Sequence, residues 1–335
     1  MSTFARSTFN ATIYSAARPT YPPQLFEYIF KYHRAGASPN KASFERGVDV
    51  GCGTGQATEH LRPVFNEVIG VDPSLGMLET ARASFANNHS GTGKYSFVQG
   101  SGEDLRTAIP EDGSVDLIIA AQAAHWFDWS KVWPETSRVL RKNGTAAFWV
   151  YTEFRLANYP TLTPLITAYA QGTDPLNSLG SYFQRPGRTI LERYLVDVPE
   201  PREDSDLEPL TRAYFCEEGD APSFLPQHPT ILPTLMRTRM RWRDLLTYFR
   251  TWSSLHTYHE KYPEDLKRPD DTRFLKEDLE SSSGADDELR GGDIAVRFWK
   301  DLREGVSELS CDIPVGAEDD VLIEWPVSLL LTRKQ

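Results

Sequence analysis

Three glycines at alternate positions, in Val48-Asp49-Val50-Gly51-Cys52-Gly53-Thr54-Gly55, constrain this chain more than any other feature in it. They follow a short apolar run, Gly47 to Val50, that reads as a strand. They precede Ala57 to Phe65, which reads as a helix with Pro63 in its last turn. Gly51 lets the chain leave the strand tightly, and Gly53 and Gly55 let a ligand approach backbone that carries no Cβ. The turn delivers that ligand to helix N–H groups, whose dipole favours negative charge. The dinucleotide fingerprint Gly-x-Gly-x-x-Gly would put its third glycine at position 56, which is Gln56. Here the third glycine comes one residue early. Asp49 also lies where a pyrophosphate would sit, and suits an ammonium group better than a diphosphate. Plain turn glycines without a ligand are the remaining reading.

Asp72 is the next acid in the pattern. It ends the apolar run that begins at Glu67, 21 positions after Gly51. A carboxylate there offers two oxygens to two ribose hydroxyls, which nicotinamide and adenosyl cofactors both present. Its other reading is a helix N-cap ahead of Pro73.

Strands and helices then alternate. Ser74 caps a helix through about Ala86, and Tyr95 to Gly100 and Val115 to Ala121 are the third and fourth strands. Trp129 to Arg141 is a helix ended by Lys142-Asn143-Gly144, and Thr145 to Tyr151 is the fifth strand. This alternation implies a mainly parallel sheet covered on both faces. Ahead of it, Leu25, Phe26, Ile29 and Phe30 recur at helical spacing from about Pro22. Behind it the pattern is less regular. Trp242 to His259 reads as an aromatic-laden helix, 276–293 as a solvated loop, and Arg297 to Val306 as a further helix. Val321 to Trp325 and Val327 to Thr332 are strand-like. One domain over 1–335 is expected. Its core lies at about 44–151 with C-terminal strands at about 321–333, an N-terminal cap at about 1–34, and a lid or insert at about 152–310.

The charge narrows the partners. With 47 acidic and 36 basic residues the formal charge is −11, which argues against a chain built to grip a phosphate backbone. Cys52, Cys216 and Cys311 stand too far apart for a disulfide framework or a zinc site. They read as reduced thiols, so a cytoplasmic place is expected. No apolar run reaches about 18 residues, so no membrane span is expected. The first residues also lack the apolar core of a signal peptide.

Asp49 to Gly55, Val71-Asp72-Pro73-Ser74, Gly100-Ser101-Gly102-Glu103-Asp104-Leu105 and Leu140 to Gly144 together resemble the successive motifs of the Rossmann-like (class I) S-adenosylmethionine-dependent methyltransferases, over roughly residues 45–151. Outside that stretch, Tyr14 to Pro22, Ala123 to Phe127 and Tyr248 to Ser253 are similar to the trans-aconitate methyltransferase-like group, which includes fungal enzymes methylating small carboxylic acids and drugs. The resemblance implies an α/β fold with a seven-stranded, mostly parallel sheet, helices on both faces and helical lid insertions. Val327 to Thr332 would be its antiparallel last strand. It implies S-adenosyl-L-methionine as cofactor, with the methionine carboxylate at the glycine turn. The contacts it implies fall on Asp49, Gly51, Gly53, Asp72 and the segment after the third strand. Tyr14, Arg18, Gly55, Pro73, Ser101, Gly102, Glu103 and Gln122 complete the expected cofactor set. The family often has Asp where Ser101 stands, reaching the adenine amino group. Here Ser101 bonds it more weakly, or Gly102 N–H and Glu103 take over.

The acceptor is expected at the carboxyl edge of the sheet, where open α/β folds hold their ligands. Gln122-Ala123-Ala124-His125-Trp126 lies there, without the Asn/Asp-Pro-Pro-aromatic run of enzymes that methylate DNA bases. His125 is either a general base, a donor to an acceptor carboxylate, or a buried histidine held by a backbone carbonyl. Trp126 either walls the site, where a ring near a sulfonium gains about 0.5–2 kcal/mol, or packs at a helix start. Arg18 offers a bidentate fork to a carboxylate, and Tyr14, Arg18 and Tyr21 suggest a segment closing over the cofactor. Tyr21, His125, Trp126 and Trp252 form the expected acceptor set. His256 and His259 lack a nearby acid constellation, so no metal is expected. The expected activity is methyl transfer to a small molecule, at an oxygen of a carboxylic acid. The alternatives are a hydroxyl or amine of a natural product, or a non-catalytic regulator that binds the cofactor.

Overall fold

Short apolar runs separated by turns become buried parallel strands, because only an interior position satisfies residues that are apolar on both faces. A computed structural model of the chain describes residues 18–36, 42–87, 93–281, 289–311 and 313–335. In chain order its elements begin with α1 (Pro23–Gly36), β1 (Arg46–Val50), β2 (Glu67–Asp72), α2 (Leu75–Asn87), β3 (Lys94–Gln99) and β4 (Val115–Ala121). Next come α3 (Trp129–Val139), β5 (Leu140–Tyr151), β6 (Arg155–Leu156), α4 (Thr163–Gln171) and α5 (Gly187–Glu192). They continue with β7 (Thr211–Phe215), β8 (Thr230–Leu232), β9 (Met236–Arg241), α6 (Trp242–Arg250) and α7 (Ser253–Lys261). The last are α8 (Leu275–Ser281), α9 (Ile294–Leu309), β10 (Asp320–Trp325) and β11 (Val327–Arg333).

The main sheet runs β3-β2-β1-β4-β5-β11-β7-β8. β1 sits between β2 and β4, with Val48 opposite Ile69 on one side and Ile118 on the other, all parallel. β11 runs antiparallel between β5 and β7, as expected for the last strand. The Rossmann-like α/β fold therefore stands, with a correction to the strand number. The described residues form eight strands rather than seven, because β8 adds a three-residue parallel edge to β7. That edge comes from a Pro- and acid-rich stretch whose composition hides it. A second, antiparallel sheet, β6-β10-β9, takes the expected strand at 321–325 out of the main sheet.

Alternate residues of β5 feed two cores. Ala147, Trp149 and Tyr151 face α1, α6, α7 and α9, whereas Phe148 and Val150 face α3 and Leu191. The stretch expected as a lid thus contributes helices to both faces of the sheet and strands to the sheet itself. No helix among the described residues is long and apolar enough to cross a membrane.

Four local expectations change. Residues 276–281, read as part of a solvated loop, belong to α8, where Asp278 is fully buried. Ala57 to Phe65 is not an α-helix but a 3₁₀ turn, Thr58–His60, followed by irregular turns. Pro63 has no N–H for an α-helical bond to Glu59, and Thr58 Oγ1 is drawn down to Asp49. The helix that starts at Trp129 stops at Val139, so Gly144 does not end it. Asn143 instead takes the left-handed conformation (φ 66°), its N–H donates to Lys334 O, and Gly144 O accepts from Lys334 N. Leu140 to Tyr151 is one strand with a bulge. The aromatic helix at 242–259 is two helices, α6 and α7, broken at Thr251-Trp252.

Candidate active site

β1, β2, β4 and β5 all end at one edge of the sheet, and a cavity of about 530 Å³ opens there. That lies within the roughly 300–1,000 Å³ of small-molecule sites. Its floor is Gly51 to Thr54, Asp72 to Ser74 and Ser101 to Glu103. Its far wall is His125, Trp126, Tyr151, Glu153, Arg188 and Trp252.

The glycine turn is built as its residue types demand, though for mixed reasons. Gly51, Gly53 and Gly55 all have positive φ, at 72°, 53° and 89°. A Cβ on Gly51 would fall 2.4 Å from Ala123 Cβ, so that glycine serves packing against the end of β4. Gly53 has open space where its Cβ would stand and lines the cavity. Gly55 does not line the cavity. A Cβ there would fall 2.9 Å from the Phe85 ring, so packing against α2 requires a glycine there.

Asp72 latches the turn. Its Oδ2 accepts from Gly53 N at 2.9 Å and its Oδ1 from Ser74 N at 2.8 Å. Burial raises its pKa, and the two backbone donors pull against that rise. Asp49 lies fully buried beneath the turn and is not part of the cavity wall. Thr58 Oγ1 donates to its Oδ2 at 2.6 Å, while Oδ1 has no partner. Burial, with Asp72 nearby, pushes its pKa up to about 7.

The remaining expected cofactor residues are distributed around this floor. Pro73, Ser101 and Gly102 line it, as does Glu103, whose Oε1 accepts from Asp128 N at 3.0 Å. Gln122 lines it in the left-handed region (φ 55°). Its side-chain amide is committed elsewhere, donating to Tyr151 O at 3.1 Å and accepting from Tyr151 N at 2.8 Å. It extends the β4–β5 pairing past the point where the strands separate. Arg18 lines the cavity and donates to Tyr151 Oη and to Thr251 O, both at 3.3 Å, with its guanidinium over the Tyr248 ring. Tyr14 lies outside the described residues.

The four expected acceptor residues all line the cavity. Tyr21 stands edge-on to Trp149 at 5.4 Å, and Trp252 packs at right angles to Tyr248 at 5.9 Å. Trp126 is 40% exposed at the mouth. His125 occupies the 3₁₀ turn Ala124–Trp126 and is buried, with Nδ1 unpartnered. Burial, and then the Arg188 charge, lowers its pKa to about 3, so its imidazole stays neutral. His256 and His259 sit away from the cavity, facing Glu260 and Asp293 at 3.4 and 3.3 Å.

Arg188, Glu153 and Phe183 were not among the expected residues. A signal for the first existed, since Arg188 and Glu192 stand at helical i, i+4 spacing just after Pro186-Gly187. Nothing in the sequence brings Glu153 to them.

Residues 48–148 match the family model described as a methyltransferase domain. The chain is 35% identical over 191 residues to a probable S-adenosylmethionine-dependent methyltransferase of Saccharomyces cerevisiae, over 57% of this chain and 61% of that protein. It is 34% identical over 139 residues to a methyltransferase of Aspergillus terreus, over 41% of this chain and 40% of that one. It thus spans about three fifths and two fifths of these relatives' lengths. In fold it is similar to a putative type II methyltransferase from Anaeromyxobacter dehalogenans, with a TM-score of 0.56 and 21% identity over 94% of this chain and 97% of that one. The methyltransferase-domain match falls on the strands and turns that build the cavity floor.

Proposed function

We propose that this chain is an S-adenosylmethionine-dependent methyltransferase that esterifies an oxygen of a small carboxylic acid. When bound, S-adenosylmethionine supplies an electrophilic methyl group carried on a sulfonium. The residues fit that cofactor. Asp49, beneath the floor rather than in it, carries a buried Oδ1 with no partner, so its carboxylate favours an ammonium group above the turn through charge. Gly53 leaves room above its Cα. Each Asp72 oxygen takes one backbone N–H and keeps a lone pair for a ribose hydroxyl. Ser101, Gly102 and Glu103 hold the adenine side, with Pro73 beside them.

His125 carries the argument for the acceptor. A hydroxyl or amine that must lose a proton needs a base of suitable pKa within reach. His125, buried beside Arg188 and lowered to about 3, is a poor one. Glu153 at the same wall is engaged by Arg188. Arg18 and Arg188 contribute positive charge there. A carboxylic acid arrives ionised at neutral pH, with its lone pair ready. The wall then has only to align it, and alignment is worth up to about 7–11 kcal/mol. The formal charge of −11 favours a small molecule over nucleic acid. The exposed thiol of Cys311 suits a reducing, cytoplasmic setting.

The test is transfer of labelled methyl from S-adenosylmethionine to matched small acids, alcohols, phenols and amines. The acids should be labelled, and mild alkali should release the label as methanol, as it does from esters. An alkali-stable product, or transfer confined to the phenols or amines, would count against the acid reading.

A further inference from the structure

Arg188 and Glu153 line the cavity wall opposite its glycine floor, and Arg188 does more there than add positive charge. Glu153 follows β5 by two residues, and Arg188 is the second residue of α5. They form an ion pair, and Arg188 Nε also donates to Glu192 Oε1 at 2.9 Å. All three side chains are nearly buried, at 12, 11 and 13% exposure for Arg188, Glu153 and Glu192. The guanidinium lies over the Phe183 ring, 3.8 Å from its centroid. A buried ion pair roughly breaks even against the desolvation of its charges. Stability therefore gives no strong reason to place one on a ligand cavity.

We infer that Arg188 selects the acceptor by gripping its anionic group, and that Glu153 is the counter-ion which that group displaces. This rests on the methyl-transfer reading of the cavity. An arginine has five N–H donors in a rigid fork. One of these goes to Glu192 and one to Glu153, which leaves three. Phe183 and Glu192 fix the plane of the fork independently of Glu153, so exchanging one carboxylate for another leaves the fork in place. α5 is itself pinned to the acceptor wall. A Cβ on Gly187 would fall 2.7 Å from the Trp126 ring and 2.9 Å from His125 O.

The test compares the calorimetric affinity of small acids with that of their amides, benzoate against benzamide and glutarate against glutaramide. The protein is used in three forms: wild type, Glu153→Gln, and the double variant R188M/E153Q. The double variant removes both charges and leaves no bare Glu153, so it is the form most able to fold. Its affinity for S-adenosylhomocysteine, which the opposite end of the cavity holds, reports that it has folded. The wild type should prefer acids to amides. Glu153→Gln should increase that preference by on the order of tenfold, because Arg188 then loses its competitor. The double variant should bring the ratio to about one. A ratio that is near one in the wild type, or that does not rise in Glu153→Gln, or that survives in the double variant, overturns the role of Arg188. Absence of S-adenosylhomocysteine binding by the wild type instead overturns the cofactor reading, and is read independently of the acid–amide ratio.

Discussion

Asp49 carries a charge problem that the protein alone leaves unsolved. It is fully buried, its Oδ1 has no partner, and its pKa is pushed from 3.8 to about 7. The unfolded chain releases this proton first, so between those values the folded state binds more protons. The associated stability is fully present below pH 3.8 and is lost as pH rises through 7. His125 acts with the opposite sign. Its folded value of about 3 lies below the ordinary 6.5, so its contribution is complete above 6.5 and is lost as pH falls toward 3. Comparing wild type with Asp49→Asn isolates the first effect, because the amide keeps an oxygen for Thr58 and does not titrate. Asp49→Asn should gain stability relative to wild type as pH rises from about 4 to 7, by on the order of a few kcal/mol. Urea denaturation at a series of pH values checks this, and a constant difference between the two proteins sinks it. An ammonium group bound above the turn favours the charged Asp49 carboxylate. S-adenosylhomocysteine affinity should accordingly depend on pH more steeply in wild type than in Asp49→Asn, as titration calorimetry would show.

At the scale of elements, the parallel strands were legible because each is an apolar run bounded by turn residues, and Asp72 was legible because it ends one of them. What stayed hidden depends on contacts distant in sequence. Pro63 and the pull of Asp49 on Thr58 undo a helix that periodicity alone supports. Leu140 leaves its helix because β4 and the chain end at Lys334 claim the following residues. Trp252 stays buried at the break between α6 and α7, so the apolar spacing runs on across two helices. The glycine turn follows its strand where the sequence put it, and a Cβ on Gly55 would meet the Phe85 ring. The Arg188–Glu153 pair needs residues 35 apart to meet on different elements. Gly187 shows how closely those elements meet. Gly187→Ala must displace the Trp126 ring and strain the His125 backbone, at a cost of about 1–3 kcal/mol from overpacking. Turnover should fall by roughly tenfold or more, as misplacement at a reacting centre does, while S-adenosylhomocysteine affinity holds. Equal losses of both, measured with steady-state kinetics and calorimetry, would mean that the change unfolds the site rather than shifting its acceptor wall.

For the whole molecule, the question is whether the stretch between β5 and β10 is a detachable lid. Its topology says otherwise. β7 and β8 come from within it and complete the edge of the main sheet beside β11. Its helices α8 and α9 are tied to each other by a fully buried ion pair, Arg303 to Asp278 at 2.6 Å, and both partners also reach the chain that leads into β10. Asp278 also accepts from Ala317 N, Arg303 Nε donates to Val315 O at 3.0 Å, and the guanidinium lies over the Trp299 ring. Trp299 Nε1 in turn donates to Trp242 O, at the start of the helix that carries Tyr248 to the cavity. Removing one partner takes its charge out of a fully buried pair, so Asp278→Asn or Arg303→Met should each cost about 3–5 kcal/mol. The double variant R303M/D278L, apolar at both positions, should recover much of that loss, because the pair itself repays little beyond its desolvation. Because strands and helices of this stretch interlock with the sheet, unfolding should remain one transition in every variant. Far-ultraviolet circular dichroism and tryptophan fluorescence should then give the same midpoint in urea. Two separated midpoints in Asp278→Asn would show that the stretch opens while the sheet stays folded, and that the ion pair holds a lid rather than a wall.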